Sequence, residues 1–214
     1  MIEFSPLCLA RLKKEKKFKQ ILKIVDSVHL DIMDGKFVPN VAFKIKDVNN
    51  FRSRLEKHVH IMSIKNRPII SKLKKNKFSS ISYHFESEKN HENLVKLIRS
   101  KNSKAGIVIS PSTKVSEVKT IIKLFDRIII MAVKPGFSGS TFLKSTLKKI
   151  PQVKKINNKI EIVIDGGMNE KTINDVSKLG ANNFVVCSVI VKAKNSYLKV
   201  KELKKIFKNA RKKK

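Results

Sequence analysis

The chain has 214 residues, 41% of them hydrophobic, and its 48 Lys and Arg against 17 Asp and Glu give a formal net charge of +31. Apolar runs recurring along the whole length exclude a disordered basic tail, and the length accommodates one barrel-sized domain or two small ones. Two cysteines, Cys8 and Cys187, are too few for a disulfide framework and lack zinc-finger spacing, which suits a reducing compartment. The longest apolar stretches, 128–133 and 184–191, fall short of the roughly 18 residues of a membrane-spanning helix. Glu3 stands where a signal peptide carries positive charge, so the expected location is the cytoplasm.

Short β-branched runs alternate with lysine-rich amphipathic segments. In chain order the pattern predicts a strand over 2–9, a helix over 12–24, a strand over 27–32, a helix over 45–55, a strand over 58–62 and a helix over 68–75. It continues with a strand over 79–84, a helix over 90–99, a strand over 105–109, a helix over 115–124, a strand over 127–133 and a helix over 141–156. A strand over 159–164, a helix over 170–179, a strand over 182–186 and a helix over 197–208 complete it. Eight strands, each followed by a helix, describe a single (β/α)8 TIM barrel of the α/β class. The alternative is an open doubly wound sheet, but no G-x-G-x-x-G follows the first strand. No linker or composition break divides the chain, so one domain is expected over 1–207, with a basic tail over 208–214.

Function in such a barrel collects at the C-terminal ends of the strands. The polar residues there are Ser5, then His29, Asp31 and Asp34, then His60, His84 and Glu86, Ser110, and Asp165. His29 and Asp31 are two residues apart and share one strand face; Val28, Leu30 and Ile32 make the other face apolar, so the pair points inward. With His60 and Asp165 from other strand ends, two imidazoles and two carboxylates converge. That is a ligand set for one divalent metal ion such as Zn, Fe, Mn or Co. A lone interior histidine is more often a hydrogen-bonded core residue than a ligand. The set reverses that, because two buried carboxylates without a cation would each cost several kcal/mol. The glycine loops Gly136-Phe137-Ser138-Gly139 and Asp165-Gly166-Gly167, with Cys187-Ser188 after the last strand, cluster where barrels bind phosphate through backbone N–H groups. A phosphorylated small substrate follows.

The ordered stretches HLDIMDGKFVPN (29–40), VHIM (59–62), YHFE (83–86), SPST (110–113), MAVKPGFSG (131–139), IDGGMN (164–169) and LGANNFVVCS (179–188) resemble the motifs of the ribulose-phosphate 3-epimerase family. The resemblance runs from about Ser5 to Ser188. It implies a metal-dependent barrel enzyme that interconverts D-ribulose 5-phosphate and D-xylulose 5-phosphate by inverting C3, a step of the pentose phosphate pathway. Carried over by motif, His29, Asp31, His60 and Asp165 would hold the metal, and Asp31 and Asp165 would also be acid and base. Inversion takes a proton from one face of C3 and returns one to the other, which needs two carboxylates flanking the carbon. The ion would polarise the C2 carbonyl and stabilise the enediolate.

Ser5, His60, Met33, Met62, Met131, Gly136, Phe137, Ser138, Gly139, Gly166, Gly167, Cys187 and Ser188 would contact the substrate. The three methionines read equally as core filling, and His84 and Glu86 would orient the site from behind. Four positions depart from the family pattern: Lys134 replaces an Asn or Asp, Ser138 a Gly, Ser140 a Gln and Cys187 a glycine. Backbone N–H donation survives there if these residues avoid left-handed φ values.

The same metal and aspartates would serve a sister activity, 3-epimerisation of a ketohexose 6-phosphate such as allulose 6-phosphate. From another class, the charge suggests a basic nucleic-acid-binding protein on a barrel scaffold. Yet the lysines are spread over every helix, aromatic residues are 7% with no Trp, and no RNP, KH or finger motif is present. Nucleic acid is therefore expected to bind non-specifically if at all. The resemblance also implies a homo-oligomer, a dimer or hexamer, and no membrane partner.

Overall fold

Along the second strand, Val28, Leu30 and Ile32 alternate with His29, Asp31 and Met33, and every residue is buried. A strand buried on both faces needs an interior on one side and a covering layer on the other, which a barrel wrapped in helices supplies. A computed structural model describes residues 1–10, 15–136 and 140–212 and has this form. Its strands are β1 (Ile2–Phe4), β2 (Ser27–Met33), β3 (Glu56–Met62), β4 (Ser80–His84), β5 (Lys104–Ile109), β6 (Arg127–Met131), β7 (Glu161–Asp165) and β8 (Asn183–Val186). All pair in parallel and in sequence order, and β1 closes on β8. The helices are α1 (Leu7–Ala10), α2 (Glu15–Leu22), α3 (Ile45–Asn50), α4 (Asn66–Lys72), α5 (His91–Ser100), α6 (Val115–Val118), α7 (Lys149–Ile156), α8 (Glu170–Leu179), α9 (Ser188–Val191) and α10 (Ser196–Lys212). Among the described residues no helix is long and apolar enough to cross a membrane.

One row of paired residues runs from Asp31 to His60, Ser82, Gly106, Arg127 and Glu161. It starts near the C-terminal end of β2 and finishes at the first residues of β6 and β7, the stagger that closing a tilted sheet requires. The outward residues, among them Phe4, Leu30, Ile61, Ile107, Ile130, Ile164 and Phe184, form the main core with the helices. The inward residues divide. On β5 to β8, Val108, Ile129, Met131, Val163 and Val185 form an apolar patch beside the buried polar Arg127 and Asn183, whereas β1 to β4 turn Glu3, Ser27, His29, His58, His60, Ser80, Ser82 and His84 into the interior.

The expected strand over 2–9 ends at Phe4, because Pro6 has no N–H for a ladder and Leu7–Ala10 turn into a short helix. The helix expected over 115–124 splits into α6 and a 3-10 turn at Ile122–Leu124. That expected over 141–156 begins its α-helical part at Lys149, so that Pro151 falls in the first turn, where no intrahelical donor is needed. The helix over 170–179 lies where expected: Asn169 Oδ1 accepts from the N–H groups of Lys171 and Thr172, and Gly180 ends it at φ +95°. The last helix, expected to give way to a tail at Lys208, continues through Lys212. Ala210 is buried on its inner side, so the amphipathic pattern outlasts the run of lysines. The short helix α9 was not expected.

Candidate metal and substrate site

The pleat of β2 aims His29 and Asp31 at the barrel axis, β3 adds His60, and β7 ends at Asp165. Ligand atoms of these four residues all lie within 4.8 Å of one another. His29 Nε2 is 3.5 Å from Asp31 Oδ1, 3.6 Å from Asp165 Oδ2 and 3.2 Å from His60 Nδ1. His60 Nδ1 is 3.2 Å from Asp31 Oδ1 and 3.5 Å from Asp165 Oδ2. Five of the six separations among these atoms are 3.2–3.6 Å, close enough together for one ion to reach all four. The donor set fits a divalent cation.

The electrostatics agree. Burial disfavours charge on His29, but Asp31, Glu3 and Asp165 outweigh it and lift its pKa to about 10. His60 is raised too: its hydrogen bonds to Asp165 and Asp31 overcome burial. Asp31, against its own burial, is held below the usual carboxylate range by the two rings. Two carboxylates packed on two imidazoles demand positive charge, and a divalent ion meets that demand with the rings neutral.

The rings are oriented from behind. With Nδ1 turned to the cluster, His60 donates its Nε2–H to His84 Nε2 at 3.0 Å, and His84 donates Nδ1–H to Glu86 Oε2 at 3.2 Å. Burial lowers the pKa of His84 to about 4, so it stays neutral and able to accept. Glu86 Oε1 in turn accepts from Ser110 N at 2.8 Å and from the Thr113 hydroxyl. Asp34, also at a strand end, serves the loop: its carboxylate accepts from Lys36 N, Phe37 N and Ser63 Oγ, and it is not part of the cluster.

Residues 1–191 match the sequence profile of the Ribulose-phosphate 3 epimerase family. The chain belongs to that family. It is 32% identical over 194 residues to the ribulose-phosphate 3-epimerase of Buchnera aphidicola subsp. Baizongia pistaciae, covering 86% of this chain and 85% of that one. To the enzyme of the same name from Aquifex aeolicus it is 31% identical over 191 residues, 86% of each. Among solved structures, 3-keto-L-gulonate-6-phosphate decarboxylase from Vibrio cholerae O1 biovar El Tor matches with a TM-score of 0.71 and 15% identity, over 98% of this chain and 97% of that one; this likeness is one of fold. As a member of the ribulose-phosphate 3-epimerase family the chain is an isomerase.

Above the cluster opens a cavity of about 340 Å³ lined by Asp31 and Asp165 and by Ser5, Met33, Met62, Met131, Gly136, Gly166, Gly167, Cys187 and Ser188. Phe137, Ser138 and Gly139 lie outside the described residues. Leu7, Thr141, Phe142, Met168, Asn169 and Val189 also line it and were not expected from the sequence; they sit in the loops and short helices that follow the strands, which strand periodicity does not reach. Ser5 Oγ donates to Asp31 Oδ2 at 2.6 Å. Across the mouth, Asn40 Nδ2 donates to the carbonyl of Gly136 at 2.6 Å, joining the loop after β2 to the loop after β6. Gly166 (φ +104°) and Gly167 (φ +66°) are required: a Cβ on the first would lie 2.3 Å from Val133 Cγ2 and on the second 2.7 Å from Phe142 Cβ. Three of the four departures from the family pattern fall on described residues. Cys187 has φ −137°, Ser140 is not among the positive-φ residues, and Lys134 is exposed and does not line the cavity.

Proposed function

We propose that this chain is a metal-dependent epimerase that interconverts D-ribulose 5-phosphate and D-xylulose 5-phosphate at C3. The observation that carries the reading is the meeting of two carboxylates, Asp31 from β2 and Asp165 from β7, at the floor of one cavity. His29, His60, Asp31 and Asp165 would hold one divalent ion, of the Zn, Fe, Mn or Co kind, which when bound supplies positive charge beside the substrate's C2 oxygen and makes the C3 proton acidic.

Asp31 and Asp165 move the protons. Each gives one oxygen to the cluster, and substrate lying over them presents one face of C3 to each. One carboxylate takes the proton from its face, the other returns a proton to the opposite face, and the roles exchange in the reverse direction. Ser5, by donating to Asp31 Oδ2, holds that carboxylate in place. Met33, Met62 and Met131 form apolar walls that exclude water without offering a competing base. The phosphate is held near Gly136, Gly166, Gly167, Cys187 and Ser188.

The test is turnover of D-ribulose 5-phosphate in deuterated water by protein of known metal content. Wild type should invert C3 and incorporate solvent deuterium there. Asp31→Asn and Asp165→Asn should each lose about 10²- to 10⁴-fold in inversion, the usual contribution of a positioned acid or base, while the remaining carboxylate still exchanges the C3 proton of one epimer. Absence of exchange by wild type in every metal form would refute the mechanism. A parallel assay on a ketohexose 6-phosphate reads the chain-length preference.

A further inference from the structure

Glu3 was not among the expected functional residues. Ile2 and Phe4 on either side pack outward into the core, whereas the Glu3 side chain faces the interior and is fully buried. Its two oxygens are divided: Oε2 lies 3.2 Å from His29 Nδ1, and Oε1 accepts from Arg127 Nη2 and, at 2.9 Å, from Asn183 Nδ2. Arg127, equally buried, is fixed in turn by His58 Nδ1 at 2.8 Å and lies 3.8 Å from Glu161. A buried ion pair is weak support for stability, and apolar residues of similar size often do as well. On this interior Val108, Ile129, Val163 and Val185 do pack without charge. The pair therefore calls for a role beyond filling space.

We infer that Glu3, anchored by Arg127 and Asn183, is a positioning residue for the metal cluster. It accepts Nδ1–H of His29, which leaves the Nε2 lone pair aimed at Asp31, His60 and Asp165. Carboxylate behind a ligating histidine fixes the ring and its tautomer and raises its basicity. This rests on the cluster holding a divalent ion.

The distinguishing substitution is Glu3→Gln. Two donors, Arg127 and Asn183, already claim one end of residue 3, so the amide oxygen turns to them and the NH2 turns to His29. His29 Nδ1 must then accept, which puts the ring proton on Nε2, where the ion would bind. Replacing both partners, Glu3→Met with Arg127→Met, removes the orientation without reversing it. Binding of Zn²⁺ and Co²⁺ to the metal-stripped full chain is measured by competition with a chelator, and the visible Co²⁺ bands are recorded.

Glu3→Gln should bind Zn²⁺ about 10- to 100-fold more weakly than wild type, the usual effect of losing such a partner. The double variant should fall between the two, and the Co²⁺ bands should shift in both. A residue with a merely structural role would lower the melting temperature of Glu3→Gln and leave Zn²⁺ affinity unmoved. A cooperatively melting Glu3→Gln protein with wild-type affinity and spectrum would overturn the inference, whether or not the double variant folds. Wild type that takes up neither ion would instead overturn the reading of the cluster, and the assignment of Glu3 with it.

Discussion

His29 sits between three carboxylates, Glu3, Asp31 and Asp165, and its folded-state pKa of about 10 against an ordinary 6.5 has a consequence for the metal-free protein. A histidine whose pKa is raised on folding contributes stability that is fully present below about pH 6.5 and is lost as pH rises through about 10. The melting temperature of chelator-stripped protein should therefore fall from pH 6.5 to 10, followed by calorimetry at constant ionic strength. Zn²⁺ affinity should rise over the same window, because the rings must release protons to ligate. A flat melting temperature across that range would contradict the charge environment described for His29. At this scale the site was partly legible. His29 and Asp31 were found from two-residue spacing against an apolar opposite face, which needs no partner. Glu3 and Arg127 were not, because each is a single charge in an otherwise apolar strand and its meaning depends on a partner 124 residues away.

Between elements, the contact of β4 with β5 depends on one missing side chain. Ser82 and Gly106 are paired in register, and a Cβ on Gly106 would come 2.0 Å from Ser82 Oγ and 2.8 Å from Ser82 Cβ. Both atoms belong to a buried strand residue with little room to retreat. Gly106→Ala should cost about 1–3 kcal/mol, as overpacking of an interior usually does. In a domain of this size that lowers the melting temperature by roughly 2–12 °C. Ser82→Gly combined with Gly106→Ala should recover most of the loss; if it does not, the clash lies elsewhere. Element positions were readable because period-two strands and lysine-faced helices carry their own signal. Where they ended was not readable when local chemistry intervened, as with Pro6 closing β1, Pro151 setting the start of α7 and buried Ala210 extending α10.

Taken as one molecule, the surface is more one-signed than its composition states. Of the 17 acidic residues, Glu3 and Asp31 are buried, and Asp34, Asp165 and Glu161 are half-buried at the barrel's ends. Among the described residues every lysine but Lys149 keeps some exposure above the buried class, and a doubly charged sugar phosphate approaches through their field. kcat/KM for D-ribulose 5-phosphate should fall several-fold as NaCl rises from about 10 to 300 mM, with kcat little changed, because screening weakens steering more than chemistry inside the barrel. Salt-independent kcat/KM would remove the charge from the account of substrate capture. The sequence alone determined the eight-fold alternation, the inward turn of His29 and Asp31, and the order of motifs that marks the family, since all of these are written in spacing along the chain. Only the tertiary structure decided that the expected meeting of Asp165 with His29 closes to 3.6 Å, that Asn40 ties two loops across the mouth, and that Glu3 meets Arg127 beneath the cluster. Those contacts join residues far apart in sequence, and their distances exist only once the staggered sheet has closed on itself.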